Sequence, residues 1–105
     1  MDKEYLEYVK NELRTKSIDV LIKELENIHK HVYAAYEMDE WGYFYSNLDE
    51  SKIVTQLVDK KPIREKMGYY NQLNHLIKAA YNVGNVDFAI KLEEESDWFA
   101  YRFLG

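Results

Sequence analysis

Few of the side chains able to do covalent or metal chemistry stand at useful spacings. Glu26 and His29 reproduce the Glu-x-x-His spacing with which a helix offers two ligands to a di-iron centre, but such a centre needs a second copy of the pair and two further inward glutamates. His75 has no glutamate three residues before it. His29 and His31, two residues apart, point to different faces of any helix and do not share a metal. This places His29 at the edge of a core and His31 in solvent. Ser17, Ser46, Ser51 and Ser96 lack the setting of a nucleophile elbow, and Ser17 and Ser51 stand where helix caps are expected. Glycines 42, 68, 84 and 105 are too scattered for a phosphate-binding loop, and Arg64 and His75 are too far apart for a compact Arg-x-His nuclease motif. An enzyme would have to assemble carboxylates through its fold, with Glu93, Glu94, Glu95 and Asp97 the available group; the ordinary role of four acids on a terminal helix is solvation. The residues therefore predict no catalytic group, no metal and no cofactor.

What stands out is the pairing of carboxylates with aromatic rings. Residues 36–50 contain Tyr36, Trp41, Tyr43, Phe44 and Tyr45 beside Glu37, Asp39, Glu40, Asp49 and Glu50, with no lysine or arginine among them. Residues 93–103 repeat the chemistry, with Glu93, Glu94, Glu95 and Asp97 beside Trp98, Phe99, Tyr101 and Phe103. Trp and Tyr bury large areas at low entropic cost and dominate interface hot spots, while clustered carboxylates steer a basic partner into place. Phe44, Phe99 and Phe103 are expected in a core. Glu37, Asp39, Glu40, Trp41, Tyr43, Tyr45, Asp49, Glu50, Glu94, Asp97 and Trp98 are the candidate partner-binding residues, and the two segments form one surface if the last helix packs near the middle of the chain.

The charge agrees with such a partner. The net charge is −5, and residues 1–50 carry 12 acids against 6 bases while residues 51–105 carry 7 against 8. Affinity for nucleic-acid phosphates comes largely from Lys and Arg displacing counterions, so direct nucleic-acid binding is not expected. Lys60, Lys61, Arg64 and Lys66 form the one basic cluster, and Asp59 and Glu65 interrupt it. Absence of cysteine fits a reducing compartment. The longest apolar run, Val32 to Tyr36, is five residues, against the ~20 of a membrane helix, and the charged first ten residues lack the apolar stretch of a signal peptide. A cytoplasmic protein without membrane contact is expected.

The elements that must position these residues are helical. Residues 2–15 predict a first helix through Leu6, Val9 and Leu13, with Tyr5 beside them. The apolar phase slips between Leu13 and Ile18, and Ser17 fits an N-cap there. From Ile18 the stripe runs through Leu21, Ile22, Leu25, Ile28, Val32, Ala35 and Tyr36 at three- and four-residue intervals. Gly42, costing about 1 kcal/mol in a helix interior relative to alanine, predicts a short helix before it and a loop after it, with Asp49 or Ser51 capping a third helix through Ile53, Val54, Leu57 and Val58. A strand over 51–58, suggested by its β-branched residues, is rejected for want of a second strand. Pro62 fits the first turn of the next helix, whose stripe is Ile63, Met67, Tyr70, Leu73, Ile77, Ala80 and Tyr81, with a kink expected at Gly68. Gly84 and Asn85 are suited to end that helix and cap the last, from Val86 to about Phe103, with Ala89, Leu92, Phe99 and Phe103 inward.

The segment AAYNVGNVDFAIKL resembles the turn of a tetratricopeptide-type helical hairpin, with Ala80, Gly84 and Ala89 at small-residue spacings familiar from that family. The resemblance covers about one hairpin, and no period of ~34 residues recurs as an array would demand. Short connections imply antiparallel neighbours. The fold class expected is all-α, a compact bundle of four to five antiparallel helices in a single domain spanning 1–105, large enough to bury roughly 65% of its unfolded surface.

The function expected is that of a small acidic inhibitor or regulator that engages the basic surface of a partner protein, such as a nucleic-acid enzyme or a toxin, in the manner of an immunity protein or an anti-CRISPR. A self-associating helical module forming a homodimer is the alternative. An enzyme using Glu26, His29 and the 93–97 carboxylates is the third reading.

Overall fold

The computed structural model describes residues 3–105, and Asp2, expected to open the first helix, lies outside them. Five α-helices and no strand occur among the described residues: α1 Lys3–Leu13, α2 Ile18–Glu37, α3 Trp41–Asp59, α4 Ile63–Asn82 and α5 Val86–Phe99. A π-helical turn, Ala100–Leu104, follows α5. None of these helices is long and apolar enough to cross a membrane. The chain divides into two compact units, one ending at Lys60 and the other beginning at Lys61.

In the first unit, α3 packs against α2 and α1 packs against α3. The α2 stripe supplies most of its core: Ile18, Leu21, Ile22, Leu25, Ile28 and Ala35 are buried, and Val9, Val54, Leu57 and Val58 join them from α1 and α3. Val32 is half-buried and Tyr36 is exposed, so the stripe leaves the core as it reaches the end of the helix. Ser17 holds the N-cap backbone position of α2 without capping it through its side chain. Its hydroxyl instead bonds the Asp19 carboxylate and, with the backbone amides of Asp19 and Val20, holds that group below the usual range.

Glycine 42 does not stop α3, which corrects the expectation of a loop after it and of a helix capped by Asp49 or Ser51. Gly42 is the second residue of α3, and the first turn does not carry the interior cost of glycine because its amides have no intrahelical partner. The reversal is made earlier, at Met38–Glu40. Asp39 takes a left-handed φ of 56°, the Asp39 amide donates to the Tyr36 carbonyl, and the Glu40 amide donates to the Ala35 carbonyl at 2.9 Å. This is the Schellman closure usually built on glycine, and aspartate is one of the few other residues that tolerate it.

In the second unit, α4 packs against α5 and the π-turn. Leu73, Ala80, Ala89, Leu92, Ser96, Phe99 and Phe103 are buried. Helix α4 runs through Gly68 without a break, and Pro62 precedes the helix as its N-cap rather than lying in the first turn. Gly84 takes φ 78°, and its neighbour closes the same loop, the Asn85 amide donating to the Ala80 carbonyl at 2.9 Å. The Asn85 side chain accepts from the Phe88 amide and caps α5.

The α2–α3 and α4–α5 hairpins repeat each other with a displacement of 45 residues. Both first helices begin at isoleucine, Ile18 and Ile63, and both second helices begin 45 residues apart, at Trp41 and Val86. Ala34-Ala35-Tyr36 recurs as Ala79-Ala80-Tyr81, and Asp39 recurs as Gly84 with the same backbone sign. Ser51 Oγ lies 3.3 Å from His29 Nε2, and Ser96 Oγ donates to Asn74 Oδ1 at 3.2 Å, each bond joining residues 22 apart. Buried Ile28, Ala35, Val54 and Val58 have the buried counterparts Leu73, Ala80, Phe99 and Phe103.

Candidate functional site

The turn Met38–Glu40 sets the C-terminal end of α2 beside the first turn of α3, so residues from the two helices meet at one end of the hairpin. Trp41, Phe44 and Tyr45 stand at i, i+3 and i+4, one face of a helix. Tyr36 reaches them from α2, with ring centroids 5.8 Å from Trp41 and 6.3 Å from Phe44. Trp41 meets Phe44 edge-on at 5.4 Å, and Phe44 meets Tyr45 edge-on at 5.2 Å. Edge-to-face pairs of this spacing are favourable beyond their burial. Phe44 is half-buried at the centre, while Tyr36, Trp41 and Tyr45 remain 58%, 45% and 61% exposed. Glu37, Asp39 and Glu40 are exposed on the turn itself.

Tyr43, Asn47 and Glu50 share a different face of α3, at i, i+4 and i+7. The Tyr43 hydroxyl hydrogen-bonds His31 Nδ1 at 3.0 Å, and the two rings meet edge-on. Asn47 is buried and its Nδ2 donates to the Tyr43 carbonyl at 2.8 Å. Glu50 is half-buried, and its carboxyl is pushed above its ordinary value by burial and then by the charge of Glu24, against the lowering effect of a hydrogen bond from Tyr5. The Tyr5 phenol is raised in turn, chiefly by the charge of Glu50. Asp49 is half-buried on α3. The structure thus separates the central candidates into two groups: Tyr36, Trp41, Phe44 and Tyr45 with Glu37, Asp39 and Glu40 at the turn, and Tyr43 with Glu50 on another face. Tyr5, Glu24, His31 and Asn47 border the second group and are not among the sequence candidates: a loop after Gly42 gives Asn47 no helical face, and Tyr5, Glu24 and His31 lie on α1 and α2, whose approach to α3 no local pattern announces.

In the second unit, Glu94, Asp97 and Trp98 stand at i, i+3 and i+4 of α5 and are exposed, Trp98 at 40%. Trp98 meets Phe103 edge-on at 5.6 Å, and Phe103 meets Phe99 at 5.1 Å. Phe99 packs at 4.7 Å on Tyr69, and the Arg102 guanidinium lies 5.0 Å from the Phe103 ring centre. The Tyr81 hydroxyl donates to Glu93, whose bond and charge raise the phenol. The 36–50 and 93–103 segments belong to different units.

Glu26 is exposed, and His29 Nε2 is engaged with Ser51. No group of three or more His, Asp or Glu side chains placed to hold a metal ion occurs among the described residues. Comparison with protein-family models, with curated proteins and with solved structures gives no match.

Proposed function

We propose that the protein acts by binding another protein, as a small inhibitor or regulator whose α2–α3 turn docks on a basic surface. The observation that carries this reading is the set of four rings, three exposed ones gathered on the half-buried Phe44, bordered by Glu37, Asp39 and Glu40. Rings already held against one another lose little freedom on docking, and Trp and Tyr are the side chains on which interface energy concentrates. The acids draw a cationic partner in and disfavour an anionic one. Trp98, Glu94 and Asp97 offer the same chemistry on α5, within the second unit. The partner is a protein with a basic groove, a nucleic-acid enzyme or a toxin, as for an immunity protein or an anti-CRISPR, met in the cytoplasm. Within each unit the scaffold is an antiparallel helical hairpin, a reading supported by its three-residue connection, and it supplies no catalysis.

The test is affinity capture from the source cell's lysate with the wild-type chain and with a Trp41→Ala/Tyr45→Ala double variant, alongside thermal unfolding of both. A basic protein retained only by the wild type, with melting nearly unchanged, is the expected result. Identical captured proteins from both chains would overturn it. Recovery of the chain alone, with a mass that doubles with concentration, would replace it by self-association.

A further inference from the structure

A cleft of about 350 Å³ opens on the first unit among α1, α2 and α3, lined by Tyr5, Glu24, His31, Tyr43, Asn47 and Glu50 with Asn27 and Ile28 at its wall. This is the small end of the range for ligand sites, and its chemistry is one-sided. Glu24 and Glu50 face it with two carboxylates. Asn47 is nine-tenths buried, its Nδ2 is committed to the Tyr43 carbonyl, and its Oδ1 has no hydrogen-bond partner among the described residues. No fully buried side-chain polar atom lacks a partner there, so Oδ1 reaches open space, and the cleft is the opening Asn47 lines.

The second hairpin serves as a control for what packing alone requires. At the displacement of 45 residues, Glu24 becomes Tyr69, His31 becomes Leu76, Tyr43 becomes Phe88 and Asn47 becomes Leu92. Asn47 and Leu92 are equally buried, each at 6%. The hairpin therefore closes with leucine where the first unit carries an amide, whose Oδ1 is left open to the cleft and able to accept a hydrogen bond. Glu50 keeps its charge at the equivalent Glu95, so it is at the Glu24, His31, Tyr43 and Asn47 positions that hairpin packing does not require the polar group.

We propose that this cleft receives one arginine side chain of the partner, its guanidinium between Glu24 and Glu50 and one N–H donated to Asn47 Oδ1. The inference rests on the protein-binding reading above. Three acceptors bordering a half-buried space match a planar cation with five N–H donors, and guanidinium sheds water more readily than ammonium. Burial and the Glu24 charge hold Glu50 in a state that a bound cation relieves.

The test uses the full chain labelled with nitrogen-15 and the probe N-acetyl-arginine amide, followed by NMR at the backbone amides of the residues lining the cleft and, where Asn47 is retained, at its side-chain amide. Saturable shifts are expected, weakened about tenfold in Glu50→Gln and Asn47→Leu, with N-acetyl-citrulline amide giving none. Asn47→Leu borrows the residue of the second hairpin, and its unfolding curve confirms an intact fold. Absence of saturable shifts, equal affinity for the citrulline or lysine analogue, or undiminished binding by Asn47→Leu would each overturn the inference. Partner capture that survives Asn47→Leu and Glu50→Gln but fails in Trp41→Ala would sink the arginine cleft alone. Arginine binding without any Trp41-dependent capture would sink the docking surface alone.

Discussion

The Tyr43 hydroxyl bonds Nδ1 of His31 across the α2–α3 interface at 3.0 Å, and this bond turns Tyr43 away from its sequence neighbours Trp41, Phe44 and Tyr45. Tyr43 stands two residues from both Trp41 and Tyr45, a rotation of about 200° along the helix, which sets it on the far side from them. Tyr43→Phe keeps the ring and deletes the bond. It should cost at most about 1 kcal/mol of stability, since both groups are exposed, and leave Trp41-dependent partner capture unchanged. Chemical unfolding with parallel capture checks both; loss of capture would return Tyr43 to the docking surface.

Charge reversal at the turn separates steering from contact. Glu37→Lys with Glu40→Lys should slow association severalfold at low salt, with a smaller difference at high salt and little change in dissociation. Asp39 is the wrong residue for this experiment, because its left-handed backbone would add strain to any longer side chain. Stopped-flow association across a salt series reads the effect. A rate difference that is the same at every salt concentration would count against steering.

The two left-handed positions make opposite predictions. Asp39→Gly relieves a conformation that costs a non-glycine residue up to about 1 kcal/mol and should stabilise the chain by a part of that. Gly84→Ala, at φ 78°, should destabilise by about 1 kcal/mol, although no atom lies within 4 Å of the added Cβ. Urea midpoints for the pair settle the matter, and a Gly84→Ala chain as stable as wild type would show that the turn relaxes.

Glu50 gives stability a particular slope with pH. Its folded carboxyl titrates above the ordinary 4.5, so the folded chain binds more protons than the unfolded one in the interval above 4.5. Stability from this group is present below that value and lost as pH rises through the raised one. Glu24 and His31 on α2 and Tyr5 on α1 are the titratable groups facing it. Glu50→Gln, still able to accept from Tyr5, should therefore gain stability relative to wild type between pH 4.5 and neutrality. A gain that shrinks over that interval would reverse the assignment.

The helices were legible wherever an apolar stripe ran unbroken. Ile18 to Ala35 gave α2 and its buried face, and Ala89, Leu92, Phe99 and Phe103 gave the inner side of α5. Gly84 and Asn85 announced their turn by residue type. The turn at Asp39 did not, because aspartate adopts a left-handed backbone too seldom to be read as a stop, and Gly42 drew the break three residues too late. That misplacement hid the faces of α3 and with them Asn47. The α4 stripe was legible as a period but not as a burial: Ile63 and Met67 are exposed and Leu73 and Ala80 are buried, a distinction that depends on what packs against the helix. The 45-residue repeat was hidden because its two copies agree in backbone turns and small residues more than in side-chain chemistry.

The hairpin repeat also orders events in time. The interhelical bonds His29–Ser51 and Asn74–Ser96 each close a short loop of 22 residues, and contacts this local pair early and quickly, since little chain entropy is spent before they reward it. Helix α1 has no such neighbour: its partner in the first unit is α3, reached only after α2 has been traversed. The two hairpins are thus the natural nuclei of folding, and α1 is the segment that arrives last and, with Val9 as its one buried residue, opens first in hydrogen exchange.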